Sequence, residues 1–286
     1  MNHARHLACV AATLALSLCC AAAPAQTSGP ADAVNPLIGS RNGGNTFPGA
    51  TLPFGMLQWS PENTRGQHDR AAAPGGYQYD ATRIRGFSLT HLSGTGCRGA
   101  SGDIPFMPVT VAITSSPALD ATDARYAANF SHADEHAAPG DYRVRLANGV
   151  AVELAAALRS GTARFKFPEG EPANLLLRVS DSEVGSSDAE ITLDRKTQTV
   201  SGSVTSGNFC GYLSKADRRS YYTLYFVAKF DRPFTATGTW HDATVRGYHR
   251  WRPNVSGLVR KSLDSPEETR TFVNGKLELV NPDDDQ

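Results

Sequence analysis

Histidines, carboxylates and cysteines are the side chains with which this sequence could do chemistry, and few of them stand at reactive spacings. His132-Ala133-Asp134-Glu135-His136 puts two imidazoles four apart around two acids. That is a metal pattern on a helix, where positions i and i+4 share a face. Ala137-Ala138-Pro139-Gly140 follows at once and predicts a short turn instead, so no metal site is expected there. Asp181 and Glu183 would share one face of a strand. A glycosidase pair needs carboxyl groups roughly 5–10 Å apart across a sugar, which sequence alone does not set, and these two read as solvated acids in a Ser-rich loop. His91 precedes Ser93-Gly94-Thr95-Gly96, a Gly-rich stretch without the Lys of a phosphate-binding loop. A lone loop histidine of this kind reads as a structural hydrogen bonder. There is no H-E-x-x-H, EF-hand loop, C-x-x-C or G-x-S-x-G. No catalytic residue and no metal ligand is therefore assigned.

Charge narrows the partners. Across 286 residues, 28 Lys+Arg balance 28 Asp+Glu. A pI near 7.1 offers no basic field for a phosphate backbone, so no nucleic-acid partner is expected. Residues 1–25 read as a signal peptide: Arg5 supplies the positive start, residues 7–18 the apolar run, and Ala23-Pro24-Ala25 the cleavage pattern. The run falls short of the roughly 20 residues that a membrane span needs. Leu18 before Cys19 is too bulky for a lipoprotein signal. An exported protein, periplasmic or secreted, is the expectation. Cys9, Cys19 and Cys20 would leave with the signal, and Cys97 and Cys210 would remain. In an oxidising compartment these two allow one disulfide, worth about 4–5 kcal/mol in the chain-entropy model. Two buried free thiols are the alternative.

The elements that must position these residues are strands. After a flexible lead-in at 26–33, residues 34–108 are dense in Gly, Pro and aromatics without helical periodicity. Beyond Pro105, Tyr142, Val144 and Leu146 alternate with Arg143 and Arg145, and Asn148-Gly149 is a strong hairpin signal. Further strands are read around Phe165, Leu176 and Ile191, an exposed strand at 197–205, and an apolar, centrally placed strand at 222–230. Asn274-Gly275 predicts one more turn. A possible helix at 155–160 is too short to prefer over strand. Together these predict an all-β fold, an antiparallel β-sandwich with a long loop-rich N-terminal segment, with a closed barrel as runner-up. The domain is placed at 34–280, and residues 281–286 form an acidic tail.

Several segments of the loop-rich region occur together in a recognisable order. They are Val34-Asn35-Pro36-Leu37-Ile38-Gly39, then Thr46-Phe47-Pro48-Gly49-Ala50-Thr51-Leu52-Pro53-Phe54-Gly55-Met56, then Gly76-Tyr77-Gln78-Tyr79. Gly86-Phe87-Ser88-Leu89-Thr90-His91-Leu92-Ser93-Gly94-Thr95-Gly96-Cys97 and Gly102-Asp103-Ile104-Pro105 follow, with Asn208-Phe209-Cys210-Gly211 and Tyr225-Phe226-Val227-Ala228 further on. In this order they resemble the N-terminal domain of glycoside hydrolase family 92, the calcium-dependent exo-α-mannosidases.

The resemblance implies a β-sandwich that lends loops to a mannose pocket. A much larger helical domain would hold the acid, the base and most of the calcium site. This chain is read as lacking that helical domain, so no cofactor is expected in it alone. Carried over residue by residue, Phe47, Arg65, Tyr77, His91, Ser93, Gly94, Thr95, Phe209 and Cys210 are the implied substrate-binding positions, and Cys97 with Cys210 the implied disulfide. Phe47 and Phe209 would meet the apolar face of a sugar while His91, Ser93 and Arg65 bond its hydroxyls. The implied partners are a mannose-containing glycan and a separately encoded catalytic helical domain. A stand-alone carbohydrate-binding or interaction module, or a truncated remnant, is the alternative reading. A domain built to pack on a partner should also expose apolar surface, expected around Pro53, Phe54, Phe87 and Phe106.

Overall fold

The computed structural model describes residues 29–63, 73–94, 102–113, 120, 122–180, 182, 188–207, 221–239 and 271–275. The chain divides into two units, Met1–Ala33 and Val34–Gln286. Of the first, Pro30–Ala33 form a 3-10 turn, capped where Asp32 accepts the Gly29 amide at 2.7 Å.

The second unit is all-β among its described residues, and every strand pairing is antiparallel. The hairpin signal at Asn148-Gly149 joins β6 (Asp141–Leu146) to β7 (Ala151–Ala156). Gly149 takes a positive φ of 85° there, which explains the glycine. β6 buries Tyr142, Val144 and Leu146 and exposes Arg143 and Arg145, as the alternation predicts. β8 (Gly161–Lys166) lies beyond β7, and β5 (Ala128–Ala138) lies on the other side of β6.

From β5 the sheet continues through β3 (Arg83–Ser88), β4 (Phe106–Val109) and β9 (Asn174–Leu177) to β14 (Thr271–Gly275) and β13 (Thr235–Thr239). β2 (Gln58–Asn63) branches from β3 and carries β1 (Ala50–Thr51). A second sheet holds β10 (Asp188–Asp194), β11 (Thr199–Gly207) and β12 (Tyr221–Lys229) in that order. Ile191, Leu193, Val200 and Val204 of the second sheet join Phe87, Phe106, Met107, Tyr142 and Val152 of the first in one buried cluster. That shared core makes a sandwich.

Four local expectations change. The strand at 199–207 is not an exposed one, because β11 lies between two neighbours and buries Val200 and Val204. The strand around 222–230 pairs among the described residues only with β11. It leaves Tyr225 and Val227 in solvent, while Leu224 and Phe226 pack inward. Asn274 and Gly275 belong to the ladder of β14 against β13, at a bulge where Ala236 opposes both, rather than to a turn. Phe87 and Phe106 face each other in the core instead of the surface, while Phe54, Met56 and Leu158 stay exposed.

Candidate functional site

Three loops singled out in the sequence are tied into one cluster by their backbones. Gly75 N–H donates to Gly44 O at 2.8 Å, Gly94 N–H to Asn45 O at 2.8 Å, and Asn63 N–H to Gly76 O at 3.1 Å. His91 is the pin between them. It is 2% exposed, with Nδ1 2.8 Å from Gly75 O and Nε2 2.7 Å from Ser88 Oγ. A carbonyl only accepts, so Nδ1 carries the proton and Nε2 accepts from the Ser88 hydroxyl. Burial holds the imidazole pKa down to about 4, so the ring stays neutral. Phe47 lies tilted against it with ring centroids 5.1 Å apart and is itself half-buried. Ser93 and Gly94 project beyond the pin into solvent. The cluster thus has a neutral, rigid floor and an exposed rim of hydroxyl and bare backbone.

Asp103 anchors the far end of the loop that begins at Thr90. Its Oδ2 accepts from Thr90 Oγ1 at 2.7 Å and from the Tyr222 hydroxyl at 2.5 Å, while Oδ1 is buried without a hydrogen-bond partner.

Tyr77 points elsewhere. It is fully buried and its hydroxyl donates to Glu135 Oε1 at 2.9 Å. Burial and the Glu135 charge push its phenol well above the ordinary tyrosine range. So of the implied substrate positions, Phe47, His91, Ser93 and Gly94 come together. Tyr77 supports the cluster from inside, and His91 offers no spare ring nitrogen. Arg65, Thr95, Phe209, Cys210 and the Cys97–Cys210 pair lie outside the described residues, as do Asp181 and Glu183.

Two buried charge clusters went unread in the sequence. Arg85 of β3 bonds Glu62 Oε2 of β2 at 2.9 Å and Asp123 Oδ2 at 3.3 Å, all three inside the protein. The signal available was a charged residue in an apolar strand, Ile84-Arg85-Gly86-Phe87. Glu135 receives both Tyr77 and Tyr142 hydroxyls and His132 Nδ1. Among the described residues no three His, Cys, Asp or Glu side chains converge as a metal ion would need.

The antiparallel sandwich thus bears a Gly-rich loop cluster that is braced from below by His91 and exposed above at Ser93 and Gly94. The comparisons name its family. Residues 33–271 match the glycosyl hydrolase family 92 N-terminal domain, and the chain belongs to that family. It is similar to a family GH92 α-mannosidase from Bacteroides thetaiotaomicron, at 32% identity and TM-score 0.63, covering 76% of this chain and 28% of that one. A GH92 inverting mannosidase of the same organism shares the fold at TM-score 0.59 and 22% identity, over 90% of this chain and 31% of that one. A secreted glycosidase of Arthroderma benhamiae, described as uncharacterized, is 28% identical over 178 residues, 60% of this chain and 22% of its own length. The chain thus spans less than a third of each relative.

Proposed function

We propose that this domain is the substrate-pocket half of an exported α-mannosidase acting on terminal α-mannosides in glycan breakdown. The observation that carries the reading is the stitched cluster of Phe47, His91, Ser93 and Gly94, which coincides with the segments of the family resemblance. Phe47 would meet the apolar face of a mannose ring. The Ser93 hydroxyl and the backbone at Gly94 would meet its hydroxyls, with Arg65, Thr95 and Phe209 completing the pocket. A disulfide between Cys97 and Cys210 would tie two of these loops together. The leader pattern at 1–25 and a relative described as secreted support export. Among the described residues no helix is long and apolar enough to cross a membrane.

Glycoside hydrolysis needs one carboxyl to protonate the leaving oxygen and another to activate water. Among the described residues, the buried carboxylates are bonded inside the sandwich: Glu62 and Asp123 to Arg85, Glu135 to tyrosines, Asp103 to Thr90 and Tyr222. As the family resemblance implies, the acid and base would come from a helical catalytic partner, where calcium would also be held. The purified chain by itself is expected to show no turnover of an aryl α-mannoside, with calcium or with chelator. Calcium-dependent turnover lost in Asp181→Asn/Glu183→Gln would instead make it a compact enzyme.

A further inference from the structure

β5 contains an irregularity that brings two titratable side chains together against strand parity. From Phe130 to Glu135 it advances five residues while β6 advances two, from Leu146 to Val144. In a regular strand His132 and Glu135, three apart, would face opposite sides of the sheet. The bulge turns both the same way, and His132 Nδ1 lies 2.6 Å from Glu135 Oε2.

The other ring nitrogen, Nε2, lies 2.6 Å from Tyr79 O. The imidazole lies flat on the Tyr79 ring, at 3.8 Å and 7°, and edge-on to Phe130. Glu135 is 1% exposed at its side chain, whereas His132 is 32% exposed and can exchange a proton with solvent.

The acceptor count fixes the proton count. Tyr79 O only accepts, so Nε2 bears a hydrogen. Tyr77 and Tyr142 already donate to the Glu135 carboxylate, on both oxygens and on Oε1 respectively, so the carboxylate is an acceptor here too. Burial raises both phenols, which keeps those two donors protonated. The contact between Nδ1 and Oε2 therefore holds one hydrogen besides the one on Nε2, and its assignment to Nδ1 leaves Glu135 ionised beneath two tyrosine donors.

We propose that His132 and Glu135 form a proton latch that seats the 73–80 loop, and with it the candidate pocket, on the large sheet. The same loop supplies Gly75 O to His91 and donates the Tyr79 amide to Ser40 O at 2.9 Å, so it couples the latch to the pocket floor. When His132 loses a proton, either the Tyr79 carbonyl or the Glu135 carboxylate loses its donor. The loop seat is then weakened at the Tyr79 carbonyl or at Glu135. The charged and titratable groups facing His132 are Glu135 on its own strand, with Asp134 and His136 beside it and exposed, and Tyr142 on β6. From the loop come Tyr77 and Tyr79, with Asp80 and Arg41 beyond the Tyr79 ring. None of them supplies Nδ1 or Tyr79 O with a substitute hydrogen in the observed bonding.

The test is imidazole nitrogen NMR together with amide hydrogen exchange on the purified chain, near pH 6 and near pH 9, the range that brackets histidine chemistry. The latch predicts two N–H groups on His132 at the lower pH. It also predicts a protection factor for the Tyr79 amide that falls roughly tenfold or more at the higher pH, after correction for intrinsic exchange. That fall should vanish in His132→Gln. A singly protonated His132 near pH 6, equal protection at both values, or an undiminished response in H132Q would overturn the proposal. Should H132Q fail to fold, the nitrogen spectrum and pH response of the unsubstituted chain decide alone.

Discussion

His91 sits where the protein admits no charge, and that ties stability to pH. The unfolded chain takes up its proton near the ordinary 6.5, the folded one only near 4. The contribution is therefore full above 6.5 and declines through the interval down to 4, by about 1.4 kcal/mol per unit. The total is about 3 kcal/mol. Urea unfolding of the protein and of His91→Gln at both ends of that interval should show the extra loss only in the former. Equal pH dependence would mean that His91 is not the neutral pin described. Two neighbouring glycines separate backbone strain from packing. Gly94 has a φ of 69° and open space where a Cβ would go, so Gly94→Ala should cost about 1 kcal/mol. Gly76 has a φ of 80°, and its Cβ would come within 2.9 Å of the His91 ring. Gly76→Ala should cost more, about 2–4 kcal/mol. Thermal melts of both variants check the order, and similar losses would contradict it.

At the scale of elements, β2, β3 and the Asp123 turn are joined through Arg85. Arg85→Met would withdraw the Arg85 charge from two buried carboxylates, Glu62 and Asp123, a loss of about 3–5 kcal/mol. The triple replacement Glu62→Leu/Arg85→Met/Asp123→Leu should recover much of it. Denaturant unfolding decides, and a loss under about 1 kcal/mol for Arg85→Met would refute the argument. The same elements show what a sequence can and cannot disclose. The β6–β7 hairpin was legible because Asn148-Gly149 and the alternation of Tyr142, Val144 and Leu146 are local signals. The solvent face of β12 was not, since apolar content cannot say how many neighbours a strand has. Nor was the meeting of His132 with Glu135, because a bulge changes side-chain parity and nothing at residues 131–134 announces one. Of the pocket, the order of the Gly-rich segments was legible by resemblance. That Tyr77 turns inward to Glu135 depends on a strand 58 residues away.

At the scale of the molecule, the proposed function makes this domain a holder of sugar, with the acid and base supplied elsewhere. Half a pocket leaves some hydroxyls facing water, so affinity should be weak, on the order of millimolar or about −4 kcal/mol. The rival, a self-sufficient binding module, would use a different surface, for which the solvent face of β12 with Tyr225 and Val227 is one candidate among the described residues. The direct measurement is an amide NMR titration of the purified chain with methyl α-mannoside, using methyl α-galactoside as control. The account predicts saturable shifts at Phe47, Ser93 and Gly94, lost in Phe47→Ala, with none on β12. Shifts confined to β12, or none at any site up to solubility, would contradict it.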